Sequence, residues 1–279
     1  MLKREEIRIR DPFIFTDKES GCYYMYGTTA LNPDSIGARA TFSVYKSYDL
    51  ENFEEPKVIF DGKKQGFWAD RDYWAAELHE YKGKYYLFGS VIAEGRCRTT
   101  EIFVSDRPDG EFVPHLEKPV TPEGWVCLDG TFFVEDGIPY MIFCHEWVQV
   151  HDGEICAIRL SDDLKRAVGE PVLLFRASSE PTVEDAGSGN RYNLVTDGPF
   201  LFREDGRIKM IWSSFTAGKR YTVLMAESDS LLGEWKQRGS CFDFNGGHAM
   251  IFETLSGERM ISLHSPNTPG LERAKFIKF

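Results

Sequence analysis

Short apolar runs rich in aromatic residues recur along the chain, and a cluster of turn-forming residues precedes each of them. Three such runs lie at residues 22–26, 84–88 and 139–143, and their aromatic content is typical of β-strands. Turn segments that end in glycine separate two apolar stretches, as in a β-hairpin, at residues 17–21, 81–83, 135–137, 204–206 and 255–257. The pattern therefore predicts five hairpins.

The first four units continue into another apolar stretch and a second turn that begins with serine, at residues 47–50, 105–108, 161–164 and 228–231. Four short strands per unit, repeating at roughly 40 to 50 residues or slightly more, are typical of propeller blades. We therefore predict an all-β fold: a five-bladed β-propeller with four-stranded antiparallel blades around a central channel, forming one domain over residues 1–279. The shorter fifth unit ends in residues 273–279, an alternating segment that we expect to close the ring with the N-terminal chain.

A β-sandwich whose strand spacing mimics a repeat is the alternative fold. A sandwich gives no reason for a polar residue near the head of the first strand in every hairpin. A propeller does, because the innermost strand of each blade lines the channel and the strand starts converge. The five polar residues are Asp11, Glu77, Asp129, Asp197 and His248.

The charge balance narrows the class of ligand. The chain has 44 acidic and 33 basic residues, a formal net charge of -11, which opposes nucleic acid and anionic membrane surfaces as partners. It contains no apolar run of the ~18 residues that span a membrane, and residues 1–6 lack the apolar segment of a secretory signal, so we expect a cytoplasmic protein. The six cysteines form no C-x-x-C pair and are predicted to be free thiols.

Carboxylates that converge on one pocket raise each other's pKa, so that one can stay protonated while another is ionised, as acid and base catalysis of hydrolysis requires. Aromatic platforms suit the faces of sugar rings. Four tryptophans lie close in sequence to strand starts or ends: Trp68, Trp74, Trp125 and Trp147. The sequence therefore predicts a pocket for a neutral carbohydrate.

One motif in each unit resembles, in the same order, those of the glycoside hydrolases of family 43. The motifs are Arg10-Asp11-Pro12-Phe13, Trp74-Ala75-Ala76-Glu77-Leu78, Leu128-Asp129-Gly130-Thr131, Thr196-Asp197-Gly198-Pro199-Phe200 and Gly247-His248. The resemblance spans essentially the whole chain. It implies a five-bladed propeller that cleaves α-L-arabinofuranosides or β-xylosides with inversion.

The resemblance also implies roles for three carboxylates. Asp11 falls on the family's general base, which draws a proton from the attacking water. Asp129 falls on the carboxylate that raises the pKa of the acid and orients it. Asp197 falls on the general acid, where the family usually has glutamate.

The missing methylene at Asp197 shortens the side chain by roughly one bond length, about 1.5 Å. Because a displacement of about 1 Å can cost ~100-fold in rate, either the backbone compensates, another carboxylate donates the proton, or activity is lost. Glu146 is the main rival as acid, and Glu184 and Asp185 are weaker ones. We assign the acid to Asp197.

The predicted substrate-binding residues are Trp74, Glu77, Trp125, Glu146, Trp147, Phe200 and His248. The resemblance further implies that His248 could hold a channel cation such as Ca²⁺ through water, as a structural ion. Hydrolysis itself is expected to require no cofactor.

The resulting hypothesis is an inverting, exo-acting glycosidase, an α-L-arabinofuranosidase that trims plant polysaccharides or their oligosaccharides. β-Xylosidase and β-galactosidase activities of the same family stay open as alternatives, because loops outside the matching motifs set the sugar preference. A non-catalytic carbohydrate-binding propeller is the alternative from a different class, since aspartate replaces glutamate at the acid position.

Overall fold

The computed structural model describes residues 1–29, 40–116, 118–186 and 193–279. Five antiparallel sheets form a ring, so the protein is a five-bladed β-propeller, as predicted, and not a β-sandwich. In the innermost strand of each sheet, the apolar residues that follow the polar start are buried or half-buried. The alternative of two stacked sheets is therefore wrong.

The strands follow the chain blade by blade. The first blade holds β1 (Leu2–Lys3), β2 (Ile9–Asp17), β3 (Cys22–Thr29), β4 (Thr41–Ser47), β5 (Asn52–Phe53) and β6 (Lys57–Asp61). The second holds β7 (Arg71–Tyr81), β8 (Lys84–Ile92), β9 (Thr99–Ser105) and β10 (Val113–Pro114). The third holds β11 (Cys127–Glu135), β12 (Ile138–His145), β13 (Glu154–Arg159) and β14 (Val172–Arg176).

The fourth blade holds β15 (Asp197–Glu204), β16 (Arg207–Thr216), β17 (Arg220–Ser228) and β18 (Lys236–Phe242), and the fifth holds β19 (Gly247–Glu253), β20 (Arg259–Ser265) and β21 (Arg273–Lys278). The helical segments are short: α1 (Trp147–Val150) and two 3₁₀ turns, Arg4–Glu6 and Ala177–Ser179. In the described parts of the chain, no helix is long and apolar enough to cross a membrane.

The innermost strands β2, β7, β11, β15 and β19 contact one another in sequence and close the ring between the last and the first. They run in the same sense, so their N-terminal ends meet at one face of the channel. Large aromatic side chains fill the spaces around them; Phe42 of the first blade, for example, packs edge-on against Phe103 of the second, with centroids 5.5 Å apart. This packing accounts for the aromatic-rich strands.

The predicted closing strand is present as β21, and most of its pairing lies within its own blade, with β20. The N-terminal chain meets it at one bridge, between Arg8 and Arg273, where the Ile9 N–H donates to the Glu272 carbonyl (3.4 Å). Leu2–Lys3 instead pairs with β5 of the first blade. The two chain ends are therefore joined at the seam between the fifth and first blades.

Candidate active site

Each innermost strand carries an irregularity near its start. The pairing with the next strand is interrupted there, and the residue inside the interruption has a positive φ: 55° at Asp11, 46° at Ala75, 53° at Asp129, 50° at Gly198 and 52° at His248. A bulge of this kind turns the side chain out of the regular alternation, and aspartate tolerates the left-handed backbone better than most residues. The bulges thus aim Asp11, Asp129 and His248 at the channel.

The bulges show how the five polar residues align from blade to blade. The fourth blade has Gly198 at the bulge, so Asp197 lies one residue before it. A Cβ at Gly198 would lie 2.7 Å from ring carbons of His248, which explains why glycine follows the aspartate. In the second blade the bulge residue is Ala75, and Glu77 resumes regular pairing opposite Phe88. Asp11, Asp129 and His248 therefore share the bulge position, whereas Asp197 lies one residue before it and Glu77 two residues after it.

A ring of hydrogen bonds links each bulge to the preceding blade. The backbone N–H of Ala75 donates to Thr28 Oγ1 (2.8 Å), that of Asp129 to Ser90 Oγ (2.9 Å) and that of His248 to Ser213 Oγ (2.8 Å). The N–H of Asp11 donates to His264 Nδ1 (3.2 Å). These four acceptors occupy the same pairing position on the second strand of their blades.

The third blade is the exception, because Cys144 occupies that position. Here the Gly198 N–H donates instead to Asp129 Oδ2 (3.0 Å). Asp129 therefore replaces the missing hydroxyl as the link between the third and fourth blades, in addition to facing the channel.

A cavity of about 440 Å³ opens at this end of the channel, and we call it the active cavity. Seven predicted site residues line it: Asp11, Trp74, Asp129, Glu146, Trp147, Asp197 and His248. The convergence of distant carboxylates on one pocket, on which the functional hypothesis depends, is therefore present.

Three predicted substrate-binding residues lie outside this cavity. Glu77 is buried deeper in the propeller, with its Oε2 3.1 Å from His79 Nε2. Phe200 points between blades and packs against Phe13, with centroids 6.3 Å apart. Trp125 lies beside a neighbouring cavity. Glu184 and Asp185 are also absent from the lining of the active cavity.

The cavity also has lining residues that sequence reasoning did not assign: Arg8, Arg10, Thr28, Leu128, Tyr221, Pro269 and Glu272. Arg10 and Leu128 belong to the strand-start motifs, and their position directly before Asp11 and Asp129 could have identified them as lining residues. Thr28 and Tyr221 lie on second and third strands, and only the blade packing brings them to the channel.

Asp11 is held as a carboxylate. Its Oδ2 accepts a hydrogen bond from Thr28 Oγ1 (2.6 Å), and its Oδ1 lies 3.2 Å from His248 Nδ1. Burial alone would raise the pKa of Asp11, but interactions with His248, His264 and Arg10 outweigh it and hold that pKa well below its ordinary value. Asp11 is therefore ionised at neutral pH.

Asp129 and Asp197 have the opposite shift. Burial, and then the charge of the neighbouring carboxylate, raises the pKa of Asp197 above its ordinary value. Burial also raises the pKa of Asp129, against the opposing charge of His248. Tyr221 donates its hydroxyl to Asp197 Oδ2 (2.9 Å), so a proton on Asp197 is left to the other oxygen, Oδ1.

Glu146 is the second carboxyl that can hold a proton. Burial raises its pKa to about 7, although Arg98 opposes the shift. Arg98 Nε lies 4.0 Å from Glu146 Oε2, and its guanidinium lies 3.6 Å above the ring of Trp74. This arrangement covers one face of the indole and leaves Glu146 at the cavity wall.

His248 offers one nitrogen to a channel ion or water. Its Nδ1 faces Asp11 and Asp129, at 3.2 and 3.6 Å, while its buried Nε2 has no hydrogen-bond partner among the described residues. Those residues contain no group of three or more histidine, cysteine, aspartate or glutamate side chains placed to hold a metal ion. Nε2 is therefore the atom of His248 left for a water-mediated contact to a channel ion, and the described residues supply no set of three direct ligands for one.

Comparisons with known proteins agree with this geometry. The sequence profile of glycosyl hydrolases family 43 matches residues 6–278. The crystal structure of an endo-arabinase from Bacteroides thetaiotaomicron VPI-5482 is similar to this chain with a TM-score of 0.91 and 39% identity, over 100% of this chain and 96% of that one.

Two further relatives are more distant. Xylosidase/arabinosidase 43A from Humicola insolens is 27% identical over 138 residues, a match that spans 46% of this chain and only 41% of that protein. The α-L-arabinofuranosidase structure from Lactobacillus brevis shares the fold, with a TM-score of 0.75 at 17% identity over 98% of this chain and 91% of that one.

Proposed function

Because the chain belongs to glycosyl hydrolase family 43 and is a glycosidase, we propose that it hydrolyses α-L-arabinofuranosidic bonds with inversion. The observation that supports this reaction is the split in ionisation within one cavity. Asp11 is held ionised while the pKa of Asp197 is raised, which is the pairing that base and acid catalysis need. The alternative of a non-catalytic binding propeller is set aside by the family membership.

In the proposed reaction Asp11 removes a proton from a water molecule, and the resulting hydroxide attacks the anomeric carbon. The bond to the leaving oxygen breaks on the opposite face, and that oxygen takes the proton of Asp197. Asp129 acts on the acid through its charge and does not transfer a proton. The products are a sugar of inverted configuration and a shortened glycan, and the enzyme returns to its starting state after proton exchange with water.

We assign the acid to Asp197 and not to Glu146 because Tyr221 fixes one oxygen of Asp197 and leaves the other to carry the proton. The bulge that follows places Asp197 directly beside the link between Asp129 and Gly198. Glu146 then binds substrate at the wall, together with Trp74 and Trp147.

We propose an exo-acting mode because the cavity of about 440 Å³ is at the small end for a ligand site and suits a chain end. Endo-cleavage of arabinan is the second candidate, and one observation favours it: the 39% identity, over the whole chain, to the endo-arabinase of Bacteroides thetaiotaomicron VPI-5482. Both candidates share the same sugar and the same three carboxylates.

End-labelled linear arabino-oligosaccharides separate the two modes. An exo-acting enzyme releases only free arabinose from the unlabelled end at early times, while the early appearance of di- and trisaccharides would establish endo-cleavage. Proton NMR of the first-formed arabinose tests inversion, and a retained anomer would remove the general base role from Asp11. Nitrophenyl arabinofuranoside, xyloside and galactoside compared at equal concentration test the sugar preference, including the β-xylosidase and β-galactosidase alternatives.

We propose that the reaction requires no cofactor, and that a calcium ion bound through water at His248 Nε2 would only stabilise the channel. Titration of the metal-stripped protein with Ca²⁺ tests this. A rise in melting temperature with unchanged turnover is expected, and a turnover that depends on the ion contradicts the proposal.

A further inference from the structure

A second cavity, of about 660 Å³, opens beside the active cavity. Its wall contains Trp68, Arg96, Cys97, Lys118 and Trp125. These residues come from the segments that precede β7, follow β8 and precede β11. Since β7 and β11 start at the active-site face and β8 ends there, this cavity opens at the same face as the catalytic carboxylates.

Neighbouring residues connect the walls of the two cavities. Cys97 lines the second cavity, and the next residue, Arg98, covers the face of Trp74, which lines the active cavity. On the other side, Trp147 lines the active cavity. Gln149, in the same short helix, donates to the Gly124 carbonyl (2.8 Å) in the wall of the second cavity. Because both cavities open at the same face, a chain-like ligand that lies across this face can contact both.

Both indoles at the second cavity are held in place by buried groups. Trp68 Nε1 donates to Glu101 Oε1 (3.2 Å), and the Glu101 side chain is buried. Trp125 stacks on His145 with centroids 4.0 Å apart and planes 9° apart.

The two nitrogens of His145 are themselves held, by Glu154 at 3.0 Å and by Gln149 at 2.8 Å. Rings fixed in this way lose little conformational entropy on binding, which favours a stacked ligand.

The half-buried ring of Trp125 presents flat apolar surface, while the guanidinium of Arg96 lies over the ring of Trp68, 4.9 Å from its centroid. The exposed Arg96 and Lys118 supply hydrogen-bond donors at the rim.

We propose that this cavity is a second saccharide-binding site, which holds further residues of the same neutral glycan whose scissile bond lies in the active cavity. Aromatic platforms with polar groups at their rim are the chemistry that recognises neutral sugar rings. The inference rests on the proposed function, because the active cavity must hold one part of that glycan. It gives Trp125 a binding role distinct from the active cavity, where the sequence had placed it.

The test compares Trp125→Ala and Arg96→Ala with Tyr48→Ala, an exposed aromatic that follows the end of β4 at the opposite face. The measured quantity is the ratio of kcat/KM on linear arabinan oligosaccharides to kcat/KM on nitrophenyl arabinofuranoside. We expect this ratio to fall about fivefold to tenfold in Trp125→Ala, about twofold to threefold in Arg96→Ala, and to stay at its wild-type value in Tyr48→Ala. An unchanged ratio in both cavity variants, with their melting temperatures retained, would overturn the proposal.

A binding measurement separates this inference from the proposed reaction. In the Asp11→Asn background, calorimetry with arabinohexaose is expected to give a Kd that Trp125→Ala weakens several-fold, and the sugar is expected to protect Cys97 from maleimide, as mapped by mass spectrometry. If the wild-type protein hydrolyses no arabinoside but binding and protection persist, the proposed reaction fails and the second site stands. If hydrolysis is observed and the hexasaccharide neither protects Cys97 nor depends on Trp125, the second site fails and the reaction stands.

Discussion

The two sides of the active cavity shift the pKa of the same kind of side chain in opposite directions. On the side formed by the first and fifth blades, Asp11 lies among Arg10, His248 and His264, and its pKa is lowered. On the side formed by the third and fourth blades, burial raises the pKa of both Asp129 and Asp197, and the charge of Asp129 raises that of Asp197 further. Asp11 and Asp129 are 8% and 6% exposed, so burial does not distinguish them. The charges of the neighbours decide which carboxyl is base and which side is acid.

Replacing the general base should have the largest effect on turnover. Asp11→Asn keeps the shape of the side chain and abolishes its proton acceptance, so kcat on an aryl arabinofuranoside is expected to fall about 1,000-fold or more. Azide, which needs no deprotonation, is expected to restore turnover by forming the inverted glycosyl azide.

The matched control for this experiment is Asp129→Asn, which azide should not rescue because Asp129 removes no proton. Turnover of Asp11→Asn within tenfold of wild type, or azide rescue of both variants alike, would contradict the assignment of the base.

Substrates with different leaving groups can show which carboxyl is the general acid. Asp197→Asn is expected to lower kcat/KM about 100-fold or more on oligosaccharides, whose leaving oxygen needs a proton, and only a few-fold on a dinitrophenyl arabinofuranoside, whose leaving group needs none. Glu146→Gln is expected to lower both rates by about the same factor, roughly tenfold, because it loses substrate contacts and not proton transfer. The reverse pattern, with the leaving-group dependence in Glu146→Gln, would transfer the acid role to Glu146.

A substitution at Tyr221 tests, through the pH dependence of activity, whether Asp197 is the general acid. Its hydroxyl donates to Asp197 and favours the ionised form, so this contact lowers the pKa of Asp197 against the larger effect of burial. Tyr221→Phe keeps the ring stacked on His264, at 5.6 Å, and removes only the donor. The pKa of Asp197 should then rise, and the loss of activity at alkaline pH should move to higher pH by about half a unit to one unit.

The pH profile of kcat/KM measures this shift. Tyr26→Phe is the control, because its buried hydroxyl donates to the Pro108 carbonyl (2.6 Å) away from the cavity. Since the pKa of Asp11 is already low, the acid limb of the profile should lie at low pH in all three proteins. A shift of the alkaline limb to lower pH in Tyr221→Phe would show that Asp197 is not the acid.

The positions of the carboxylates were predictable because each lies at the start of a strand that the sequence marks by an apolar run followed by a turn. Asp11, Asp129, Asp197 and His248 could thus be placed at one end of the channel from the repeat alone. Glu77 could not be placed correctly, because a bulge at Ala75 shifts the alternation and nothing in the local composition marks it. A bulge inverts which side chain faces the channel, and sequence periodicity cannot detect a single inserted residue.

The remaining site residues depend on packing between blades. Tyr221 lies on the third strand of its blade, and its hydroxyl reaches Asp197 across the sheet only because Gly247 leaves room for the ring. Phe200 follows an acid-site motif but points into the core, where it packs against Phe13. Trp125 was assigned to the channel from its position before β11, and the loop places it one cavity away. Such contacts are set by side chains distant in sequence, which a linear pattern does not contain.

The smallest effect on the pH profile is expected at the blade interface where a cysteine, Cys144, occupies the acceptor position. Cys144→Ser would give that interface an acceptor for the Gly198 N–H equivalent to Ser90 and Ser213, and would release Asp129 Oδ2. The donated hydrogen bond lowers the pKa of Asp129, so its loss makes Asp129 less ionised at a given pH and weakens its charge on Asp197.

The pKa of Asp197 should then fall, and the alkaline limb of kcat/KM should move to lower pH by a few tenths of a unit, opposite in sign to the shift in Tyr221→Phe. Cys156→Ser, a buried cysteine on β13, is the matched control, and its limb should not move. A limb that moves equally in both cysteine variants would show that the shift comes from a buried hydroxyl in general. A limb that does not move in Cys144→Ser would show that the link from Asp129 to Gly198 joins the blades without tuning the acid.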